Sequence, residues 1–102
     1  MTLYDDLQSN DRDTLVDTLY KLSRAKGRTP PTPSAMRLAP SLILSDDDEV
    51  AWRSIILFGI IYPSPVVLQS LLAAIDRWKI SEPYIADAAR DAVVKVKEMQ
   101  LR

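Results

Sequence analysis

The sequence predicts an all-α protein, five helices packed as an antiparallel bundle, on three observations. Glycine occurs only at Gly27 and Gly59, and no Asn-Gly or Asp-Gly pair is present, so the strongest hairpin signals are missing. Ser, Thr and Asp recur just ahead of apolar stretches with helical spacing. Apolar residues make up 47% of the chain, enough for a core, and 26% are charged, which suits a globular protein. The 102 residues are close to the commonest size of one domain.

Taken in order, Thr2 and Asp5 have capping-box spacing for a short segment over Leu3 to Gln8. Asn10 or Asp11 caps a helix over 11–26, with Leu15, Val16, Leu19 and Leu22 on one face. Lys21, Arg24 and Lys26 fall near its end, where the backbone dipole favours cations, and Gly27 supplies a left-handed stop. "RTPPTPS" (28–34) reads as a Pro-rich linker between this helix and the later ones. Ser34 is the expected cap of "AMRLAPSLIL", a short helix that Pro40 should bend or interrupt. Ser45 is the expected cap of a helix over 46–61, which Tyr62-Pro63 closes. Ser64 with Pro65 opens a helix to about Lys79. Ser81 and Pro83 open the last, reaching towards Gln100.

Charge is unevenly spread. Residues 1–18 carry −4, residues 19–45 carry +5 without an acid, residues 46–49 carry −4 and residues 50–102 carry +2. Asp46, Asp47, Asp48 and Glu49 fall in the first turn of a predicted helix, where unpartnered N–H groups favour anions. A calcium loop needs acids at alternating positions, a turn glycine and a distal glutamate, and the stretch has none of these. We expect a helix start there, and no metal. Ser54 to Ile75 runs 22 residues without a charge, long enough to cross a bilayer. Pro63-Ser64-Pro65 breaks that run at its middle, so a buried helical hairpin is expected and no membrane span.

Segments 50–61 and 85–96 can be aligned at a spacing of 35 residues. Apolar or small residues coincide at Val50/Ile85, Ala51/Ala86, Leu57/Ala92, Phe58/Val93 and Ile61/Val96. Val67, Leu71, Leu72, Ala73 and Ile75 lie in the helix between, and Ala88 and Ala89 in the last. This layout resembles a HEAT-like repeat over about residues 34–98, with "SAMRLAPSLILSDDD" similar to the second helix of a preceding unit. The resemblance implies a short α-α stack of paired helices, the alternative to an irregular bundle. Ala51 and Ala86 stand where that family commonly has an arginine, so its polar ladder between units is not carried over.

The composition excludes much chemistry. There is no cysteine and no histidine, hence no disulfide, no thiol nucleophile and no imidazole base or ligand. The acidic N-terminus carries no export signal, and a cytoplasmic location is expected. "SRAK" (23–26) matches a bare Ser-x-x-Lys spacing, without the other motifs of such acyl-transfer enzymes. "PPTP" lacks the flanking arginine of a P-x-x-P ligand. Asp76, Asp87 and Asp91 read as solvated helix faces. No catalytic residue, metal ligand or cofactor is assigned.

Two surfaces remain. Trp52, Arg53 and Phe58, on a helix apolar around much of its circumference, form a candidate protein interface, with an unidentified protein or a second copy of the chain as partner. Lys21, Arg24, Lys26, Arg28 and Arg37 form a candidate nucleic-acid contact, although no aromatic residues interleave them in sequence. The leading expectation is a small non-enzymatic interaction or regulatory protein. The alternative is a nucleic-acid-binding accessory protein acting through residues 21–37.

Overall fold

The computed structural model describes residues 7–24 and 30–101. Among them are five α-helices and no strand: α1 (Arg12–Arg24), α2 (Pro33–Ile43), α3 (Asp48–Ile55), α4 (Leu68–Trp78) and α5 (Pro83–Gln100). A π segment, Ile56–Ile61, continues α3, and a 3-10 turn, Pro65–Val67, leads into α4. The all-α expectation holds. Thr2 and Asp5, proposed to cap a first segment, lie outside the described residues, while Leu7 is buried in the core.

Helix 3 with its π segment occupies the centre of the bundle. It packs against α1, α2 and α5, while α5 also lies along α4. Its sequence suits that place, because "IILFGII" is apolar on every side and a helix of that kind needs cover all round. Ile55, Leu57 and Phe58 have no exposed surface at all. The outer helices bury stripes instead. Ala35, Ala39 and Ile43 line one face of α2, and Ile85, Ala89, Ala92 and Val96 one face of α5. The alanines let the neighbouring backbones come close. Of the positions matched between 50–61 and 85–96, all are buried except Ile61, which is half-buried.

Several boundaries differ from expectation for local reasons. Thr32, not Ser34, caps α2: its hydroxyl accepts from the Ala35 N–H at 3.2 Å, and Pro33 takes the first helical position. Pro40 does not interrupt α2; the Leu44 N–H donates to its carbonyl at 3.1 Å and the helix continues to Ile43. Asp47, not Ser45, caps α3 by accepting from the Val50 N–H at 3.1 Å, and Ser45 accepts from the Asp47 N–H one step earlier. Ser64 does accept from Val66, but the turn it opens is 3-10 before α4 begins. The 54–75 uncharged run is broken at 62–64, and no helix among the described residues is long and apolar enough to cross a membrane.

The π segment has a packing cause. The Tyr62 N–H donates to Leu57 rather than to Phe58, at 3.0 Å, widening the turn by one residue. Inside that turn Gly59 faces α5 so closely that a Cβ on it would stand 2.6 Å from the Ala92 Cβ. Tyr62, held at φ −123 ahead of Pro63, then leaves the helix.

Candidate functional site

The four acids at the start of α3 work separately. Asp46 receives the Arg77 guanidinium of α4 at 2.6 Å, and Asp47 receives that of Arg12 on α1 at 2.7 Å. Asp48 accepts from the Glu49 N–H, and Glu49 holds Arg53 one turn on at 2.8 Å. The stretch therefore ties three helices together at one corner. Among the described residues no group of three or more acids is placed to hold a metal ion.

The hydrogen bond from Arg12, with smaller help from backbone N–H groups, keeps the Asp47 carboxyl below the usual carboxylate range. A depressed native value means stability that is present above about pH 4 and lost as pH falls through that value. Asparagine at 47 keeps the cap and removes the charge. Asp47→Asn should thus cost less than about 1 kcal/mol at pH 7, since the pair is partly solvated, and the deficit should close below about pH 4. Urea titrations at pH 7 and pH 3 test this; an equal deficit at both would sink it.

On the neighbouring face α1, α3 and α5 assemble a row of rings and guanidinium groups. The Arg24 guanidinium lies 5.5 Å from the Tyr20 ring centroid. Arg53 sits between Tyr20, at 4.9 Å, and Trp52, at 5.2 Å. Trp52 then meets Tyr84 of α5 edge-on, with centroids 6.0 Å apart and planes at 67°. Each contact is a favourable quadrupole arrangement worth about 0.5–1.5 kcal/mol. Helical spacing builds half of the row, since Tyr20 and Arg24 are four apart on α1, as are Glu49 and Arg53 on α3. Tyr20, Ser23, Arg24, Trp52, Arg53 and Ile56 line a groove of about 300 Å³ along it.

The row has two ends of opposite sign. Among the described residues Arg24 has no acidic partner, and neither Asp48 nor Glu82 has a basic one. Partial burial and then the charges of Asp48, Glu82 and Glu49 push the Tyr84 hydroxyl above the ordinary tyrosine range, which marks the acidic end. A second depression, lined by Ile60, Pro63, Lys95, Glu98 and Met99, has neither aromatic nor arginine and offers less to a partner.

The structure sets Trp52 and Arg53 side by side and adds Tyr20, Arg24 and Tyr84 to them. Phe58 does not belong. It is wholly buried, because α3 is covered on the side where Phe58 projects, so it is corrected from interface to core. The basic candidates are dispersed. Lys21 pairs with Asp17 at 2.8 Å, Arg37 is exposed on α2 and does not line the groove, and Lys26 and Arg28 lie outside the described residues. Among the described members of the set Arg24 reaches the aromatic row, which supplies the interleaving that linear order hides. Tyr20 carried one legible signal, its i,i+4 spacing to Arg24.

Other motifs resolve locally. The Ser23 hydroxyl donates to the Tyr20 carbonyl at 2.8 Å. Asp76 pairs with Lys79 and Asp87 with Arg90, both exposed, while Asp91 is exposed. Pro33 of "PPTP" opens α2. Comparison with protein-family models, with curated proteins and with solved structures finds no match to this chain.

Proposed function

We propose that the chain is a small, non-enzymatic helical protein that binds and occludes a protein partner through the surface centred on Trp52 and Arg53. The observation that carries this reading is the row Tyr20–Arg53–Trp52–Tyr84, partly exposed and fixed by its own contacts. Trp, Tyr and Arg dominate the energetic centres of protein interfaces. Side chains already held in place lose little freedom on binding. The lack of histidine and cysteine supports a non-enzymatic role and a reducing, cytoplasmic setting. The scaffold in this reading is a short HEAT-like stack or an irregular bundle, since the buried positions matched between 50–61 and 85–96 serve either.

Affinity capture from a lysate with wild-type and Trp52→Ala protein tests the reading. Proteins retained by wild type should be lost from the variant, whose far-UV circular dichroism should be unchanged. A variant that is folded and retains the same proteins would remove Trp52 from the surface that binds.

A second reading, a nucleic-acid accessory role through residues 21–37, is favoured by Arg24 and Arg53 lying against aromatic faces, as in a stacking groove for single strands. Low-salt fluorescence anisotropy with labelled DNA and RNA tests it. Binding should vanish with added salt and in R24E/K26E/R28E. No binding at tens of micromolar rejects it, because non-specific affinities of about 10⁻⁴–10⁻⁶ M at physiological salt tighten as salt falls.

A further inference from the structure

The ring-and-guanidinium row is bipolar. Followed by contact, it runs from Arg24 through Tyr20, Arg53 and Trp52 to Tyr84, beside Asp48 and Glu82; among the described residues Arg24 has no acidic partner and the two acids have no basic one. Asp48 lies one turn before Trp52 on α3, and Glu82 two residues before Tyr84 at the start of α5. A phosphate backbone suits only the basic end, since the acidic end repels it. A surface with one sign at each end and aromatic groups between meets the requirement of an isologous contact. There the same patch faces itself, and residue i touches residue j while j touches i.

We propose that this surface binds a second copy of the chain, two protomers docking about a two-fold axis near Trp52 so that Arg24 of each meets Glu82 and Asp48 of the other. This rests on the reading of the Trp52 surface as a protein interface. The two tryptophans and the two Arg53 groups form the middle, and the opposite charges at the ends set the antiparallel register. The parallel alignment would set Arg24 against Arg24 and acid against acid, whereas each central Arg53 is already paired with its own Glu49. Exposed Tyr20 and Tyr84, which leave apolar ring surface in water in the single chain, are covered in the pair.

Charge reversal tests the register directly. In sedimentation velocity at low salt, wild type should be dimeric. R24E alone turns both end contacts into acid against acid, and D48N/E82K turns both into base against base. Each should weaken self-association at least about tenfold. Mixing R24E with D48N/E82K restores opposite signs at both ends, so the mixture should form a heterodimer more tightly than either variant associates with itself. Arg24 is exposed, Asp48 and Glu82 are half-buried, and unchanged circular dichroism will show that the variants fold.

A wild-type protein that stays monomeric at several hundred micromolar would overturn the proposal. So would a dimer indifferent to both reversals, or one not rescued by mixing. Salt-sensitive binding of single-stranded DNA that R24E abolishes, with no dimer, would overturn it in favour of the nucleic-acid reading. The broader reading fails separately. If wild type is monomeric yet Trp52→Ala loses its captured proteins, the surface binds a different protein; if both tests are negative, the Trp52 surface is no interface.

Discussion

Phe58→Ala should destabilise the protein by about 3–5 kcal/mol, the usual cost of removing a buried phenyl ring from a site that collapses only partly. Phe58 has no exposed surface, and it sits in the π segment against which α1 and α5 pack, so walls on more than one side must move to fill the void. Against the total stability of about 5–15 kcal/mol usual for a domain, that is a large fraction. Urea unfolding followed at 222 nm will measure it, with the midpoint falling and the slope unchanged. A loss below about 1 kcal/mol would mean that the ring is not packed as described. The comparison with Trp52→Ala is informative, because one variant should lose stability and the other a partner.

The second large effect is expected from a single added methyl. Gly59→Ala would place a Cβ 2.6 Å from the Ala92 Cβ and 3.4 Å from Leu71 Cδ2. Carbon atoms in ordinary contact are about 3.5–4.0 Å apart, so the π segment and α5 must separate by roughly 1 Å along their shared face. The Leu71 methyl can swing aside, but the Ala92 Cβ is fixed to its backbone and cannot. The backbone has to give, at about 1–3 kcal/mol, despite the better helical propensity of alanine. Ala92→Gly in the same chain should recover more than half of the loss, although alone it weakens α5. Thermal melts of the two single variants and the double close the cycle, and simple additivity would refute the contact.

What the chain discloses on its own follows the range of the forces involved. Helix starts and stops were legible because Ser, Thr, Asp and Pro act on their own backbone neighbours. Which of several adjacent acceptors becomes the cap was not. Asp47 prevails over Ser45 partly because Arg12, from a different helix, reaches it. The π segment was also beyond reach, since its cause is the approach of Gly59 to a residue on α5. Phe58 was misplaced for a related reason: a helix apolar on all sides has no periodicity to say which side is covered. Trp52 and Arg53 were legible by residue type. Tyr20, Arg24 and Tyr84 joined them only through the packing of α1 and α5 on α3.

The two tryptophans give the molecule two natural optical reporters that answer different questions. Trp78 is buried, with its indole N–H unbonded to protein, so its emission follows the integrity of the core. Trp52 is half-exposed against Arg53 and Tyr84, and its emission follows whatever covers that face. Folding and association can therefore be watched in one unlabelled sample, and removing Trp52 leaves a single-tryptophan protein whose fluorescence reads the fold alone.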